Sequence, residues 1–346
     1  MSGKDAELRP GATVRSGRST LDSVADRAGV SRQTVSNVIN TPGIVAADTA
    51  ARVQAAIAEL RYRPHRAARQ LRTRRSQVLG LRVEHSNGIG VFDRFLHALT
   101  DAATARDHRL MLYTAADDAE ETAAFDELVD RWDIDGFILT GTHPADPRSA
   151  HLAAMGVPCV SFGRPWDPAA DHPWVDVDGA AGTSAATQHL IDAGHRRIAF
   201  IGWPEGSGVG DDRLAGWRSA LTAAGLTADR IARCHNDLTE GRLAAAAVLD
   251  GAAGEAPTAL VCVSDALALG ALAELGARGL RVGADVAVIG FDDTDVAEVI
   301  GLTTLAQPLT AAAERCLSLL LDQVDGIADP DPVPLLAPRL VLRGSG

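Results

Sequence analysis

Beyond Ser76 the sequence repeats one alternation, in which short apolar runs of strand length are each followed by a longer stretch with apolar residues at helical spacing. The runs are Val78–Val83, Leu110–Tyr113, Gly136–Leu139, Cys159–Phe162, Ile198–Ile201, Ala259–Val263 and Val286–Phe291. Continuously apolar strands need cover on both faces, which parallel sheets with crossover helices supply. Seven such units in about 270 residues suit an α/β core of two doubly wound lobes. Ligands of open sheets bind where loops leave the carboxyl ends of strands, so the cleft between the lobes is the expected small-molecule site.

The first 76 residues follow a different rule. In TLDSVADRAGVSRQTVSNVIN, starting at Thr20, apolar Leu21, Val24, Ala25 and Ala28 fall at helical spacing, and Thr20 can cap the first turn. Gly29 supplies a left-handed break, Ser31 caps a second helix, and Thr34, Val35, Val38 and Ile39 form its inward face. A third helix over about Asp48–Leu60, with Val53, Ala56, Ile57 and Leu60 on one side, completes an all-α helix-turn-helix headpiece. Arg32, Gln33, Ser36 and Asn37 point away from the apolar face and are of the types that reach base edges in a major groove. The arginine-rich YRPHRAARQLRTRRS that follows has too little apolar surface to fold alone and is expected to order on DNA.

Charge sharpens the contrast. Residues 1–76 hold 14 Lys+Arg against 6 Asp+Glu, net +8, in a chain of net −12, which leaves −20 on the remainder. A basic head on an acidic body is the pattern of a chain that contacts nucleic acid with one end.

VADRAGVSRQTVSNVIN, AAIAELRYRP and RAARQLRTRRS, in that order and spacing, resemble the headpiece and hinge of the LacI/GalR family of transcriptional regulators. HPWVDVDGAAG, HLIDAGHRRIAFIG, DDRLAGWRSAL, SDALALGAL, GLRVGADVAVIGFDDTDVAE and TTLAQPL extend the resemblance through a periplasmic-binding-protein-like core. The resemblance implies that Arg32, Gln33 and Asn37 read bases, while Ser31, Thr34, Ser36 and Asn40 hold phosphates. It also implies a hinge helix whose Leu71 wedges into the minor groove, with Ala68 on the same face. Two positions depart from the family pattern: His65 stands where Asn is usual, and Ala46 where Ser or Thr usually caps the third helix.

Carried over in the same way, Asp178, Arg213, Asp265 and Asp292 are expected to contact an effector. Carboxylates accept from neighbouring sugar hydroxyls, and a guanidinium donates to ring and hydroxyl oxygens. Arg164 follows a strand end and is a further candidate. Among the possible stacking aromatics Phe162, Trp166, Trp174 and Trp203, Trp174 is preferred.

The implied organisation is a disordered tail (1–19), a headpiece (20–64), a hinge (65–76) and a two-lobed effector-binding and dimerisation core (77–346). The implied activity is repression by a homodimer on a pseudo-palindromic operator in double-stranded DNA, under control of a sugar or oligosaccharide. No cofactor or metal is expected. Cys159, Cys234, Cys262 and Cys316 lack metal or disulfide spacing, GIG at 88–90 lacks a following GK[ST], and no nucleophile elbow occurs. An Asp178–Asp292 carboxylate pair suggests a glycosidase only if the resemblance is set aside. Without an export signal or a membrane-length apolar run, the expected home is the cytoplasm rather than a transport system.

Overall fold

The computed structural model describes residues 19–62, 75–83, 90–250, 256–328 and 335–346. The chain divides into two units, Met1–Arg75 and Ser76–Gly346. The tail up to residue 18, His65, Ala68 and Leu71, and the side chain of Asn40 lie outside the described residues.

In the first unit α1 (Leu21–Ala28) begins with a capping box, the Thr20 and Ser23 side chains each bonding the other's backbone N–H. It ends at Gly29, whose φ of 65° turns the chain into Ser31. Ser31 Oγ accepts from Thr34 N and opens α2 (Arg32–Asn40). A short 3-10 turn, Pro42–Ile44, leads to α3 (Ala47–Glu59). Val24, Ala25, Val35, Val38, Val53 and Ala56 form the buried core, and Tyr62, 5% exposed, closes it. As expected of Ala46, α3 has no side-chain cap.

The second unit contains two parallel-sheet lobes. The first begins with β1 (Val78–Arg82), α4 (Val91–Ala105), β2 (Arg109–Tyr113), α5 (Asp118–Trp132), β3 (Gly136–Leu139), α6 (Arg148–Met155), β4 (Cys159–Phe162) and β5 (Trp174–Val177). The second lobe takes α7 (Gly179–Asp192), β6 (Ile198–Gly202), α8 (Gly208–Ala223), β7 (Ile231–Arg233), α9 (Leu238–Asp250) and β8 (Ala259–Cys262). It continues through α10 (Asp265–Ala277), β9 (Ala287–Asp292), α11 (Asp295–Ile300) and β10 (Thr303–Ala306). The chain then returns to the first lobe with α12 (Leu309–Asp325) and β11 (Leu335–Leu336), and finishes in the second with β12 (Arg339–Val341).

The sheet orders are β11-β5-β4-β3-β1-β2 and β12-β10-β9-β8-β6-β7, parallel throughout except where β12 pairs antiparallel with β10. Apolar residues fill both faces of the first sheet. Phe95, Leu99, Leu317 and Leu320 pack on one side, and Phe125, Phe137 and Leu152 on the other. Trp217, Phe200 and Phe291 anchor the core of the second lobe. The crossings after β5, after β10 and between β11 and β12 bring the carboxyl ends of both sheets to one cleft.

All seven expected strands are present. Five more among the described residues, β5, β7, β10, β11 and β12, escaped the alternation because they are only two to four residues long, and all but β11 are partly polar. Cys159, Cys262 and Cys316 are buried free thiols, and Cys234 is half-buried and also free. Among the described residues no helix is long and apolar enough to cross a membrane.

Candidate functional site

On α2 the outward face carries Arg32 and Gln33, both exposed, with Ser36 and Asn37 half-buried beside them. Gln33 Nε2 donates to Asn37 Oδ1 at 2.9 Å, one helical turn on. Arg32 Nε lies 3.3 Å from Asp22 on α1, with both side chains more than 60% exposed, so solvent screens the pair and leaves the guanidinium free to re-aim. Thr34 is half-buried rather than fully inward, and its hydroxyl bonds Ser31 Oγ at 2.9 Å. The first turn of α2 therefore presents a short polar ridge at a helix N-terminus, the arrangement that suits phosphate oxygens and base edges.

In the second unit a cavity of about 280 Å³ opens between the lobes. Its wall takes Phe92, Phe95, Thr140, Phe162 and Asp176 from the first lobe, and Trp203, Arg213, Asn236, Asp292 and Thr294 from the second. Gln307 lies at the crossing after β10. Phe162 stacks on Phe95 with ring centroids 4.3 Å apart, giving a flat apolar surface.

Arg213, on α8, is fixed from several sides. Its terminal nitrogen donates to Val263 O at 2.6 Å, and its guanidinium lies 3.5 Å from the Phe291 centroid and 5.4 Å from that of Trp203. Thr183 of α7 donates to Arg213 O at 2.6 Å, which fixes α8 at this level. Burial lowers the Arg213 pKa, opposed by Asp292 at 3.9 Å. The Nε atoms of Arg213 and Trp203 are both buried without an acceptor among the described residues. Unpaired buried donors cost roughly 1–3 kcal/mol each, and both belong to residues that line the cavity.

Asp292 ends β9 with φ 127°, a strained backbone for a residue with a side chain, of the kind that concentrates at functional positions. Its Oδ1 accepts from Gln307 Nε2 at 2.7 Å. Burial pushes its carboxyl up to about 7 against the pull of Arg213. Donors and acceptors thus alternate around an aromatic-lined hollow, as binding vicinal hydroxyls requires.

Of the six residues expected here, the structure brings Arg213 and Asp292 into the cavity wall. Asp178 instead caps α7, accepting from Ala181 N at 2.8 Å. Asp265 is fully buried and turned inward, where it accepts from Thr294 N, Thr294 Oγ1 and Thr304 Oγ1 at 2.8, 2.9 and 2.6 Å. It holds the loop that presents Asp292 and Thr294 rather than facing the hollow. Arg164 stands behind the wall, donating to Asp176 Oδ2 at 2.6 Å. Trp174 does not line the cavity, whereas Trp203 does.

Residues 20–65 match the family described as "Bacterial regulatory proteins, lacI family", and residues 187–346 match "Periplasmic binding protein-like domain". HTH-type transcriptional regulator CelR of Thermobifida fusca is 38% identical over 95% of this chain and 98% of its own. The chain belongs to the LacI family of transcriptional regulators.

Another relative in the LacI family, HTH-type transcriptional regulator AglR of Rhizobium meliloti (strain 1021), is 33% identical over 94% of this chain and 93% of its own. Among solved structures, the complex of the transcriptional regulator CelR with cellobiose aligns with a TM-score of 0.71 and 34% identity, covering 95% of this chain and 100% of that one. The Lac repressor dimer bound to operator and the anti-inducer ONPF aligns with a TM-score of 0.79 and 29% identity, over 95% and 99%.

Asp176, Asn236 and Gln307 are among the wall residues that sequence reasoning missed in this LacI-family chain, as are Thr140 and Thr294. Asp176 had a usable signal, since VDVDG offers two aspartates and only the first is still inside the strand. Asn236 and Gln307 sit in loops after β7 and β10, two of the strands too short to be read.

Proposed function

We propose that this regulator is a repressor whose two headpieces, in a homodimer, grip a pseudo-palindromic operator, and that a carbohydrate in the interlobe cavity sets its affinity for DNA. The observation that carries the reading is the cavity itself. Two carboxylates, Asp176 and Asp292, and the buried guanidinium of Arg213 line one aromatic-walled hollow. Neutral polyols can donate to the carboxyl groups and accept from the guanidinium, whereas an anionic ligand would meet two carboxylates and an apolar one would leave these polar groups desolvated. The CelR relative solved with cellobiose supports a sugar of that type.

On the headpiece, Arg32, Gln33 and Asn37 read bases, and Ser31, Thr34, Ser36 and Asn40 position the backbone. His65, Ala68 and Leu71 belong to the hinge. Self-association is supported by the exposed apolar residues Val296, Val299 and Ile300 of α11. The chain works in the cytoplasm by binding and carries out no catalysis, so a bound oligosaccharide should be recovered intact.

The test is a thermal-shift screen of mono- and disaccharides followed by operator titration with each hit. The reading expects at least one sugar to raise Tm and to change operator affinity. A panel that raises no Tm, with operator binding indifferent to every sugar, would remove it.

A further inference from the structure

The seam beside the cavity is occupied by Trp166, on the loop between β4 and β5. Its φ of 57° is a left-handed conformation that a bulky residue keeps only when its surroundings impose it. The indole reaches the opposite lobe, where a Cβ added at Gly208, the first residue of α8, would fall inside the ring system. Trp166 Nε1 is buried with no acceptor among the described residues. The Arg164 guanidinium lies over the same ring at 4.7 Å.

Arg164 links this wedge to the cavity wall and to the second lobe. Within the first lobe its Nε donates to Asp176 Oδ2 at 2.6 Å. Its two terminal nitrogens reach the Asp212 carboxylate of α8 at 3.4 Å each, well beyond the roughly 2.7–2.9 Å of a closed charge-assisted pair. Asp212 Oδ2 also accepts from Ala180 N at 3.0 Å, in the first turn of α7 just past the β5 crossing. Contacts therefore run from a cavity carboxylate through Arg164 and Trp166 to α8 and the crossing, and α8 carries Arg213.

We propose that Trp166 is an interlobe wedge which, held by Arg164, sets how closely α8 approaches the first lobe and so turns occupancy of the cavity into lobe movement. The inference rests on the reading of the cavity as the effector site. Trp166 is a positioning residue and acts through Asp176 and α8. A ligand hydroxyl bonded to Asp176 competes with Arg164 for that carboxylate. The guanidinium released from it is then drawn to close the gap to Asp212, and the indole stacked beneath moves with it. Glycine at 208 is what lets the ring meet bare backbone, so a single methyl group there acts against the wedge.

The experiment uses the full chain with spin labels on Arg131→Cys, in α5, and Thr222→Cys, in α8, and cellobiose as the probe. Gly208→Ala should lengthen the interlobe distance and weaken cellobiose binding by about tenfold or more. Trp166→Ala should lose most of the sugar-induced distance change. In the Trp166→Ala background Gly208→Ala should add nothing, because the methyl group then has room. An unchanged distance in Gly208→Ala, or effects that simply add in the double variant, would overturn the wedge. A wild-type chain that binds no sugar, yet shows this non-additive pattern of distances, keeps the wedge and removes the carbohydrate reading.

Discussion

The outward face of α2 and the wall of the interlobe cavity both offer polar groups to a partner, yet they are built in opposite ways. On α2, Arg32 and Gln33 are exposed and tied only by solvent-screened or intrahelical contacts. In the cavity, Arg213 and Asp292 are immobilised by Val263 O, Phe291 and Gln307, at the cost of two unpaired donors and a strained backbone. The difference follows from the size of the partner. A duplex presents many phosphates, so its total contact can absorb the ordering of a few surface side chains. A small ligand makes few contacts, and each must be oriented beforehand.

The contrast is broken most severely at Asp292. Asp292→Asn should weaken sugar binding by about 2–4 kcal/mol, read by calorimetry, because a buried carboxyl oxygen placed for a sugar hydroxyl is replaced by an amide while Arg213 stays in place. Operator binding without sugar should be unchanged, since headpiece and core are separate units. On α2 the effect should be smaller and of another kind. Arg32→Ala is expected to cost roughly 1–3 kcal/mol on operator DNA and little on random DNA, measured by competition titration. Equal losses on both would assign Arg32 to the backbone and erase the distinction between reading and positioning.

A third prediction uses pH. The Asp292 carboxyl, ordinarily at 3.8, is pushed up to about 7 by burial, so between those values the folded chain keeps a proton that the unfolded chain has released. The stability contributed by this group therefore falls as pH rises through that window. Asparagine cannot ionise, so the Tm of Asp292→Asn relative to wild type should climb between about pH 4 and pH 7 and level off above. A flat difference would mean that the carboxylate is not held in a desolvated wall. The smallest effect concerns the uncapped helix in the headpiece. Ala46→Ser should stabilise α3 by about 0.5–2 kcal/mol, seen as slower amide exchange over residues 47–59, with the sugar response untouched.

The headpiece was legible because its signals are local. Thr20, Gly29, Ser31 and the apolar spacing each act within one or two turns, and α3 lies within a residue of its expected bounds. Tyr62 was not legible as a core residue, because it stands among arginines and is buried by joining a cluster to which all three helices contribute. The lobes were legible from long apolar strands. The cavity was half legible, because facing direction at the end of a strand depends on where the strand stops. Asp178 has already turned into the cap of α7, leaving Asp176 as the wall residue. Asp265 begins a helix after a strand, as a cleft residue should, but three hydrogen bonds from Thr294 and Thr304 turn it inward, and those partners are 29 and 39 residues away.

The most direct test is an operator titration of wild type and Asp292→Asn, each with and without a sugar that wild type binds. The sugar should shift operator affinity in wild type and leave Asp292→Asn where it was. An equal shift in both chains, or none in either, would contradict control of DNA binding by the cavity.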